Sequence, residues 1–154
     1  MIQTIYLDTS VIGGCFDPEF APWSNGLVQD FQTGNFRPVL SEVVAQEIET
    51  APALVRDKFT EIVQFNPNLL TVTQEVLKLV NLYQQRQVLM PKNRNDMLHI
   101  ALATVAQVNL VVSWNFKHFL RLDRVRAFNA VNLEQGYRLL EIHSPREVTH
   151  YGND

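Results

Sequence analysis

Short apolar runs alternate along the chain with longer segments in which apolar residues recur every three or four positions. The short runs predict buried strands, and the longer segments predict helices that bury one face. The predicted strands cover residues 2–7, 38–40, 69–72, 110–113 and 139–142. The predicted helices cover residues 9–12, 23–31, 41–50, 58–65, 73–87, 93–106 and 116–126. Because strands and helices alternate, the sequence predicts an α/β domain with a mostly parallel central sheet.

Polar residues follow several of the predicted strands directly. Asp8 comes after the first strand, Ser41 after the second, and the Ser-Trp-Asn sequence at 113–115 ends the fourth. Ligand sites in open parallel sheets lie at the carboxyl ends of the strands, so these residues are candidates for a site. Asp8 has a second interpretation, because Asp is also a favoured N-cap for the helix that follows it.

Glu47 is predicted to lie among apolar side chains. On the helix that Ser41 caps, it shares one face with Val44, Ile48 and Ala51. An isolated carboxylate is costly to bury unless it is paired or binds a metal. The alternative is that Glu47 lies at the edge of this face and reaches solvent.

Asp96 opens a predicted helix that is apolar on nearly every side. Between residues 97 and 106 only His99 and Thr104 are polar, which predicts burial of more than one face. The first turn of a helix favours a negative charge because the helix dipole is positive there. Asp96 therefore fits either a site at a buried helix start or the routine placement of an acid in a first turn.

Asp8, Glu47 and Asp96 are each ambiguous alone, but together they predict an acidic centre. Several carboxylates in one cleft repel each other, and a divalent cation relieves that repulsion. Mg²⁺ and Mn²⁺ prefer oxygen ligands, and Mg²⁺ is often held by few carboxylates together with water and substrate phosphate. Such an ion lowers the pKa of bound water and offsets negative charge on a phosphate under in-line attack. The three acids therefore predict a hydrolytic Mg²⁺ or Mn²⁺ site.

Length and composition narrow the class of protein. With 154 residues, 46% of them hydrophobic and 19% charged, the chain is predicted to form a single domain over residues 1–154. No apolar run is long enough to span a membrane, and the N-terminus lacks the basic start of a signal peptide. Cys15 is the only cysteine, so no internal disulfide can form, and a cytoplasmic location is expected.

The net charge of −3 gives no general attraction to nucleic acid. A cationic group nevertheless falls between residues 117 and 126, and it consists of Lys117, His118, Arg121, Arg124 and Arg126. This group fits either a solvated helical face or a patch that contacts phosphates. The Trp and Phe residues are assigned to the core or to an interface rather than to base stacking. The four histidines show no metal-ligand spacing, and the tail from Ser144 is expected at the surface.

Four segments carry the candidate residues in order. They are 6–12 (YLDTSVI), 40–48 (LSEVVAQEI), 95–101 (NDMLHIA) and 112–119 (VSWNFKHF). This ordered set resembles the motifs of the PIN-domain family, in particular the VapC-like toxins of toxin–antitoxin pairs. The resemblance implies a three-layer α/β/α fold with four to five strands, a Mg²⁺- or Mn²⁺-dependent endoribonuclease activity on RNA, and often a homodimer. For toxin members it also implies a small antitoxin protein that blocks the site.

With this resemblance, Asp8 and Asp96 become the main candidate metal ligands, and Glu47 becomes a further ligand or the residue that orients the attacking water. Family members commonly carry an acid where this chain has Asn115, so one negative charge is missing. That should weaken metal binding, and binding of a second metal most of all. Asn115 is kept as an auxiliary catalytic contact. The hydroxyls of Thr9 and Ser113 are expected to donate hydrogen bonds to the metal ligands or to bound water.

Three other functions stay open. A PIN fold without catalysis would serve as a binding module for nucleic acid or protein, and Asn115 together with the net negative charge favours it. An aspartyl phosphotransferase of the haloacid dehalogenase type also has an Asp after its first strand, but it requires a second Asp where this chain has Ser10. A receiver-like signalling domain requires paired acids and a late strand-end Lys, for which the sequence gives no convincing match.

Overall fold

The computed structural model describes residues 1–152, so the last two residues of the predicted 1–154 domain lie outside the described residues. In the described chain five strands form one sheet: β1 (Gln3–Leu7), β2 (Phe36–Ser41), β3 (Asn68–Leu70), β4 (Leu110–Val112) and β5 (Glu141–His143). The strand order is β3-β2-β1-β4-β5, and every neighbouring pair is parallel. The α/β class and the predicted parallel sheet are confirmed, and the sheet has five strands over these residues.

The middle strand, β1, is bonded to β2 on one side and to β4 on the other. Its residues Ile5, Tyr6 and Leu7 are fully buried. A continuous apolar run of this kind is typical of a parallel strand that is covered on both faces. Because all strands are parallel, their carboxyl ends lie at one edge of the sheet, and this edge brings Asp8 close to Ser113.

Helices flank the sheet. Over residues 1–152 they are α1 (Thr9–Gly14), α2 (Ala21–Gln32), α3 (Glu42–Glu49), α4 (Ala53–Val63), α5 (Gln74–Gln85), α6 (Arg94–Val105), α7 (Leu122–Glu134) and α8 (Pro145–Val148), with a 3-10 turn at Pro91–Asn93. Ser41 and Thr73 cap α3 and α5 as predicted, since each side chain accepts a hydrogen bond from a first-turn N–H. Helix α6 is buried without interruption from Met97 to Thr104. None of these helices is long and apolar enough to cross a membrane.

The predicted helix at 116–126 is wrong over residues 116–121 and right over residues 122–126. Residues 116–121 form turns, and α7 begins at Leu122 and continues to Glu134. Asn115 stabilises the turn, because its side-chain oxygen accepts from the N–H of His118 (2.9 Å) and its backbone carbonyl accepts from the N–H of Phe119 (3.1 Å). The side-chain bond offers the backbone an alternative to continued helix, and hydrophobic periodicity does not reveal it.

The segment after Ser144 is also different from the predicted surface tail. It begins with α8, where Ser144 and Glu147 form a capping box, and it continues to the buried Thr149. The buried carboxylate of Asp30 on α2 accepts hydrogen bonds from the Thr149 hydroxyl (2.8 Å) and from the N–H of His150 (3.0 Å). These bonds attach the segment to α2.

Candidate active site

Asp8 stands just beyond the carboxyl end of β1 and is almost fully buried. Its Oδ2 accepts hydrogen bonds from the Ser10 hydroxyl (2.8 Å) and the Ser113 hydroxyl (2.6 Å), and its Oδ1 accepts a long one from the Ser10 N–H (3.4 Å). Asp8 is therefore both the N-cap of α1 and a member of the strand-end site, so its two interpretations are compatible. Because these donors are neutral, they orient the carboxylate without cancelling its charge.

Glu47 lies at the edge of the apolar face of α3, with 29% of its side chain exposed. Its Oε1 accepts a hydrogen bond from the Thr9 hydroxyl (2.6 Å) and is bonded to Nε2 of His99 (2.7 Å), while Asn95 donates to Oε2 (3.4 Å). Burial alone would raise the pKa of Glu47, but the bond to His99, the charge of His99 and the bond from Thr9 outweigh it. The pKa of Glu47 is therefore below its ordinary value, and the side chain is held as a carboxylate.

A buried chain of hydrogen bonds fixes Glu47 from the protein interior. His99, only 1% exposed, is bonded to the Tyr6 hydroxyl through Nδ1 (2.6 Å). The Tyr6 hydroxyl is in turn bonded to the hydroxyl of Ser41 (2.7 Å). Burial lowers the pKa of His99, but the bond to Glu47 and the negative charges of the three acids raise it above its ordinary value. The neighbouring acids therefore stabilise the protonated form of His99 more than burial destabilises it.

Asp96 lies in the first turn of α6, and its Oδ2 is bonded to Nδ1 of His118 at 2.7 Å. Burial raises the pKa of Asp96, His118 offsets part of this, and the negative charge of Asp8 adds to the increase, so that the pKa is above its ordinary value. Asp8 and Asp96 are therefore close enough to repel each other. In the described part of the chain no hydrogen bond engages Oδ1 of Asp96, which leaves that oxygen for a ligand.

Asn115 has a structural task in this arrangement. Its carboxamide oxygen is occupied by the N–H of His118, and its own N–H donates to the Ser113 hydroxyl (2.9 Å). It thus shapes the turn that brings His118 to Asp96. A direct catalytic contact by Asn115 stays a prediction.

Comparisons with known proteins identify the architecture. No family model matches the chain, and no curated protein matches it. Among solved structures, the crystal structure of VapBC2 from Rickettsia felis bound to a DNA fragment from their promoter contains a similar chain, with a TM-score of 0.56 at 12% sequence identity. The match covers 92% of this chain and 98% of that chain. The fold is PIN-like. At this identity the likeness establishes the fold and not the activity.

The carboxylate oxygens at this strand-end edge are the kind of ligand atom that hard divalent cations bind. Within residues 1–152, no three His, Cys, Asp or Glu side chains lie close enough together to hold a metal ion by themselves. Mg²⁺, however, is commonly bound through one or two carboxylates, with water and substrate phosphate completing its shell. Asp8 and Asp96 are two carboxylates near enough for the charge of Asp8 to raise the pKa of Asp96, and in the described chain neither has a Lys or Arg partner. Glu47 is an additional acid beside this pair rather than a preformed third ligand.

Two histidines of the site, His99 and His118, were not expected from the sequence. His99 carries a weak signal, because it lies three residues after Asp96 on a buried helix and so shares a face with it. The sequence gives no signal for His118, because its bond to Asp96 depends on the turn at 116–121.

The cationic group at 117–126 does not lie on one helical face, because its first members are in the turn at 116–121 and the others are in α7. Arg121 pairs with Asp123 at 2.8 Å, and Arg124 donates to the carbonyl oxygen of Val88 at 2.6 Å, so these two side chains have local structural partners. Lys117 is exposed beside the site. Neither of the two alternative interpretations therefore describes the whole group.

Proposed function

We propose that this chain is a metal-dependent endoribonuclease that hydrolyses phosphodiester bonds of RNA, as the toxin of a type II toxin–antitoxin pair. The observation that supports this function is the placement of three acids at the carboxyl edge of a PIN-like sheet: Asp8 is held by Ser10 and Ser113, Glu47 is paired with His99, and Asp96 is paired with His118. Its likeness to a chain of a VapBC2 complex is in keeping with a small antitoxin protein as partner. A homodimer and a cytoplasmic location are further parts of this proposal.

Asp8 and Asp96 are the proposed ligands of Mg²⁺ or Mn²⁺, which when bound would offset the negative charge that develops on the scissile phosphate. The hydroxyls of Ser10 and Ser113 orient Asp8. His118 orients Asp96 in the same way. Because these contacts exist before substrate binds, little rearrangement of the carboxylates is needed during the reaction.

Glu47 is the proposed residue that orients the attacking water. Its lowered pKa keeps it ionised near neutral pH, and an ionised carboxylate accepts a hydrogen bond from water. Thr9 and His99 bind Oε1, whereas Oε2 has only the long contact from Asn95. Oε2 is thus the oxygen from which a water is oriented toward a phosphate.

Cleavage of a mixed-sequence RNA with Mn²⁺ tests the activity. Asp8→Asn should reduce the rate by more than the roughly 10–100-fold that follows loss of a residue supporting a metal ligand. Asp57→Asn makes the same chemical change at an exposed position on α4 and should leave the rate unchanged. Chelation of divalent cations should abolish cleavage by both the wild type and Asp57→Asn.

Calorimetric titration with Mn²⁺ tests the metal site independently of catalysis. The wild type and Asp57→Asn should bind with equal affinity, and Asp96→Asn should bind more weakly because one of two charged ligands becomes neutral. An unchanged affinity in Asp96→Asn would refute the assignment.

A binding module is the second candidate function. It is favoured by the neutral Asn115, whose side-chain oxygen is already engaged by His118, and by the lack of three converging ligands among residues 1–152. Equal background cleavage of RNA by the wild type and Asp8→Asn, at any Mn²⁺ concentration, would support this alternative over the nuclease.

A further inference from the structure

Three aromatic side chains form a contiguous cluster beside Ser10 and Ser113, the residues that hold Asp8. Phe20 stacks on Trp114 with ring centroids 4.2 Å apart and planes 17° from parallel. Phe116 adjoins both, at 6.2 Å from Phe20 and 6.3 Å from Trp114. Phe20, Trp114 and Phe116 are called the aromatic platform below.

The platform is rigid on its inner side and open on its outer side. Trp114 is only 8% exposed, and its indole N–H donates to the buried hydroxyl of Ser24 (2.8 Å). Phe20 is half-buried, whereas Phe116 is 56% exposed. From the sequence these aromatics were assigned to the core or to an interface; Trp114 lies in the core, whereas Phe116 is exposed. An exposed aromatic ring next to a fixed aromatic stack offers a flat apolar face to a planar ligand.

The platform is attached directly to the residues that hold Asp8. The backbone N–H of Trp114 donates to the Ser10 hydroxyl (3.0 Å), and that hydroxyl donates to Oδ2 of Asp8 (2.8 Å). Trp114 also follows Ser113, whose hydroxyl donates to the same oxygen of Asp8 (2.6 Å). The position of the platform relative to the acidic site is therefore fixed by short hydrogen bonds.

Cationic side chains flank the platform. Lys117 follows Phe116 in the chain and is exposed. The guanidinium of the exposed Arg146 lies 4.9 Å from the ring centroid of Trp23, which is itself 6.3 Å from Trp114. Aromatic faces with neighbouring cations are the combination that binds single-stranded nucleic acid, because bases stack on the rings while cations contact phosphates.

We propose that the aromatic platform binds one unpaired base of a single-stranded RNA, and that Lys117 contacts the adjoining phosphate, next to the bond that is cleaved. This inference rests on the proposed function for its position next to the cleaved bond, but base binding does not require cleavage. A base inside an A-form duplex is already stacked on its neighbours, whereas an unpaired base is free to stack on protein rings. The platform therefore selects single strands over duplexes.

Fluorescence of a 12-nucleotide RNA that contains 2-aminopurine tests the proposal, because the emission of this adenine analogue falls when it stacks. The measurement is made on the full chain in EDTA, so that no cleavage interferes. The wild type should quench the single strand, and Phe116→Ala should lose the quenching and raise Kd about ten-fold, within the range for one stacked base. Phe116→Trp should restore both. Leu139→Ala removes a comparably exposed apolar side chain at the amino end of β5 and should behave as the wild type.

Lys117→Ala supplies a second, electrostatic measurement. It should weaken binding of all sequences alike and reduce the slope of log Kd against log salt by about one. An unchanged slope would overturn the phosphate contact.

Other outcomes also decide the proposal. Quenching by Phe116→Ala equal to that by the wild type, or equal affinity for the RNA and its blunt duplex, would overturn it. If Phe116→Ala leaves RNA binding intact but abolishes self-association in ultracentrifugation, the platform is an interface between two copies and not a base site. If the wild type fails to cleave RNA with Mn²⁺ yet Phe116→Ala loses the quenching, the base site is supported and the nuclease function is not.

Discussion

Two adjacent glycines at the end of α1 should respond in opposite ways to the same substitution. A Cβ added to Gly13 would meet nothing within 4 Å, whereas a Cβ added to Gly14 would lie 2.7 Å from both Ser24 Oγ and Trp114 Nε1. Trp114 cannot easily move away, because it stacks on Phe20 and donates to Ser24. The pair Gly13→Ala and Gly14→Ala therefore isolates the close approach of α1 to Trp114.

The expected changes in the free energy of unfolding of the two variants differ in sign. In Gly13→Ala the higher helix propensity of alanine should stabilise the fold by about 0.5–1 kcal/mol. Gly14→Ala has at most the same gain, but it inserts a methyl group into a packed interior, which costs about 1–3 kcal/mol. It also disturbs the Trp114–Ser24 hydrogen bond, which contributes about 0.5–1.5 kcal/mol. Gly14→Ala should therefore be less stable than the wild type by about 1–3 kcal/mol.

Urea unfolding followed by circular dichroism measures both variants. With an m-value of about 2 kcal/mol per molar urea, a 2 kcal/mol loss lowers the midpoint by about 1 M, well above experimental error. Tryptophan emission of the folded state should change in Gly14→Ala and not in Gly13→Ala, with Trp23 contributing the same background to both. Wild-type stability together with unchanged emission in Gly14→Ala would refute the packing of Trp114 against α1, and with it the fixed position of the aromatic platform.

Two further predictions concern hydrogen bonds elsewhere in the fold. Tyr6→Phe keeps the ring but leaves Nδ1 of the buried His99 without its partner, so urea unfolding should show a loss of stability of about 2–4 kcal/mol. The exposed Tyr151→Phe is the control and should change the free energy of unfolding by no more than about 0.5 kcal/mol. Equal stability of the two variants would contradict the role of the Tyr6 hydroxyl. The hydrogen bond from the Ser144 N–H lowers the pKa of Glu147 from its ordinary 4.5. The ionised side chain therefore stabilises the fold at pH values above 4.5. This stability is lost as the pH falls below 4.5 and through the lower pKa of Glu147 in the folded state. Glu147→Gln keeps the capping box and should flatten the acid side of the stability–pH curve, whereas an unchanged curve would mean that the contact does not act through charge.

Hydrophobic periodicity located the central strands β1 and β4 because they carry the continuous buried apolar runs typical of a covered parallel sheet. The edge strands β3 and β5 carry a weaker signal, since each is short and partly exposed. The same signal failed at 116–121. There Phe119 is fully buried within a turn rather than a helix, and the turn depends on the polar contact from Asn115 to the N–H of His118. Phe116 lies in the same turn and is exposed, although a helix over 116–126 would place it on the same face as Phe119. Periodicity reports which faces are covered in regular elements, and it carries no information where a side chain replaces the backbone as hydrogen-bond acceptor.

The strand-end rule placed Asp8 and Ser113 together correctly, because parallel strands share one carboxyl edge. It could not pair Glu47 with His99, which lie 52 residues apart on two different helices. Their contact depends on how α3 packs against α6, and neither helix alone indicates that packing. The acids and two hydroxyl groups that bond to them, those of Thr9 and Ser113, were therefore named from sequence. The contacts of Ser10, His99 and His118 with the acids came only from the fold.

The histidines change how the negative charge of the site is balanced. From the sequence, a divalent cation is the main way to relieve the repulsion among three acids. In the structure, Glu47 is hydrogen-bonded to His99 and its pKa is lowered, whereas Asp8 is held by neutral hydroxyls, and the pKa of Asp96 stays raised despite His118. The uncompensated charge thus lies between Asp8 and Asp96. It follows that Asn at either of these positions should weaken Mn²⁺ binding more than Glu47→Gln does, and an equal loss in all three variants would mean that His99 leaves Glu47 free to act as a full ligand.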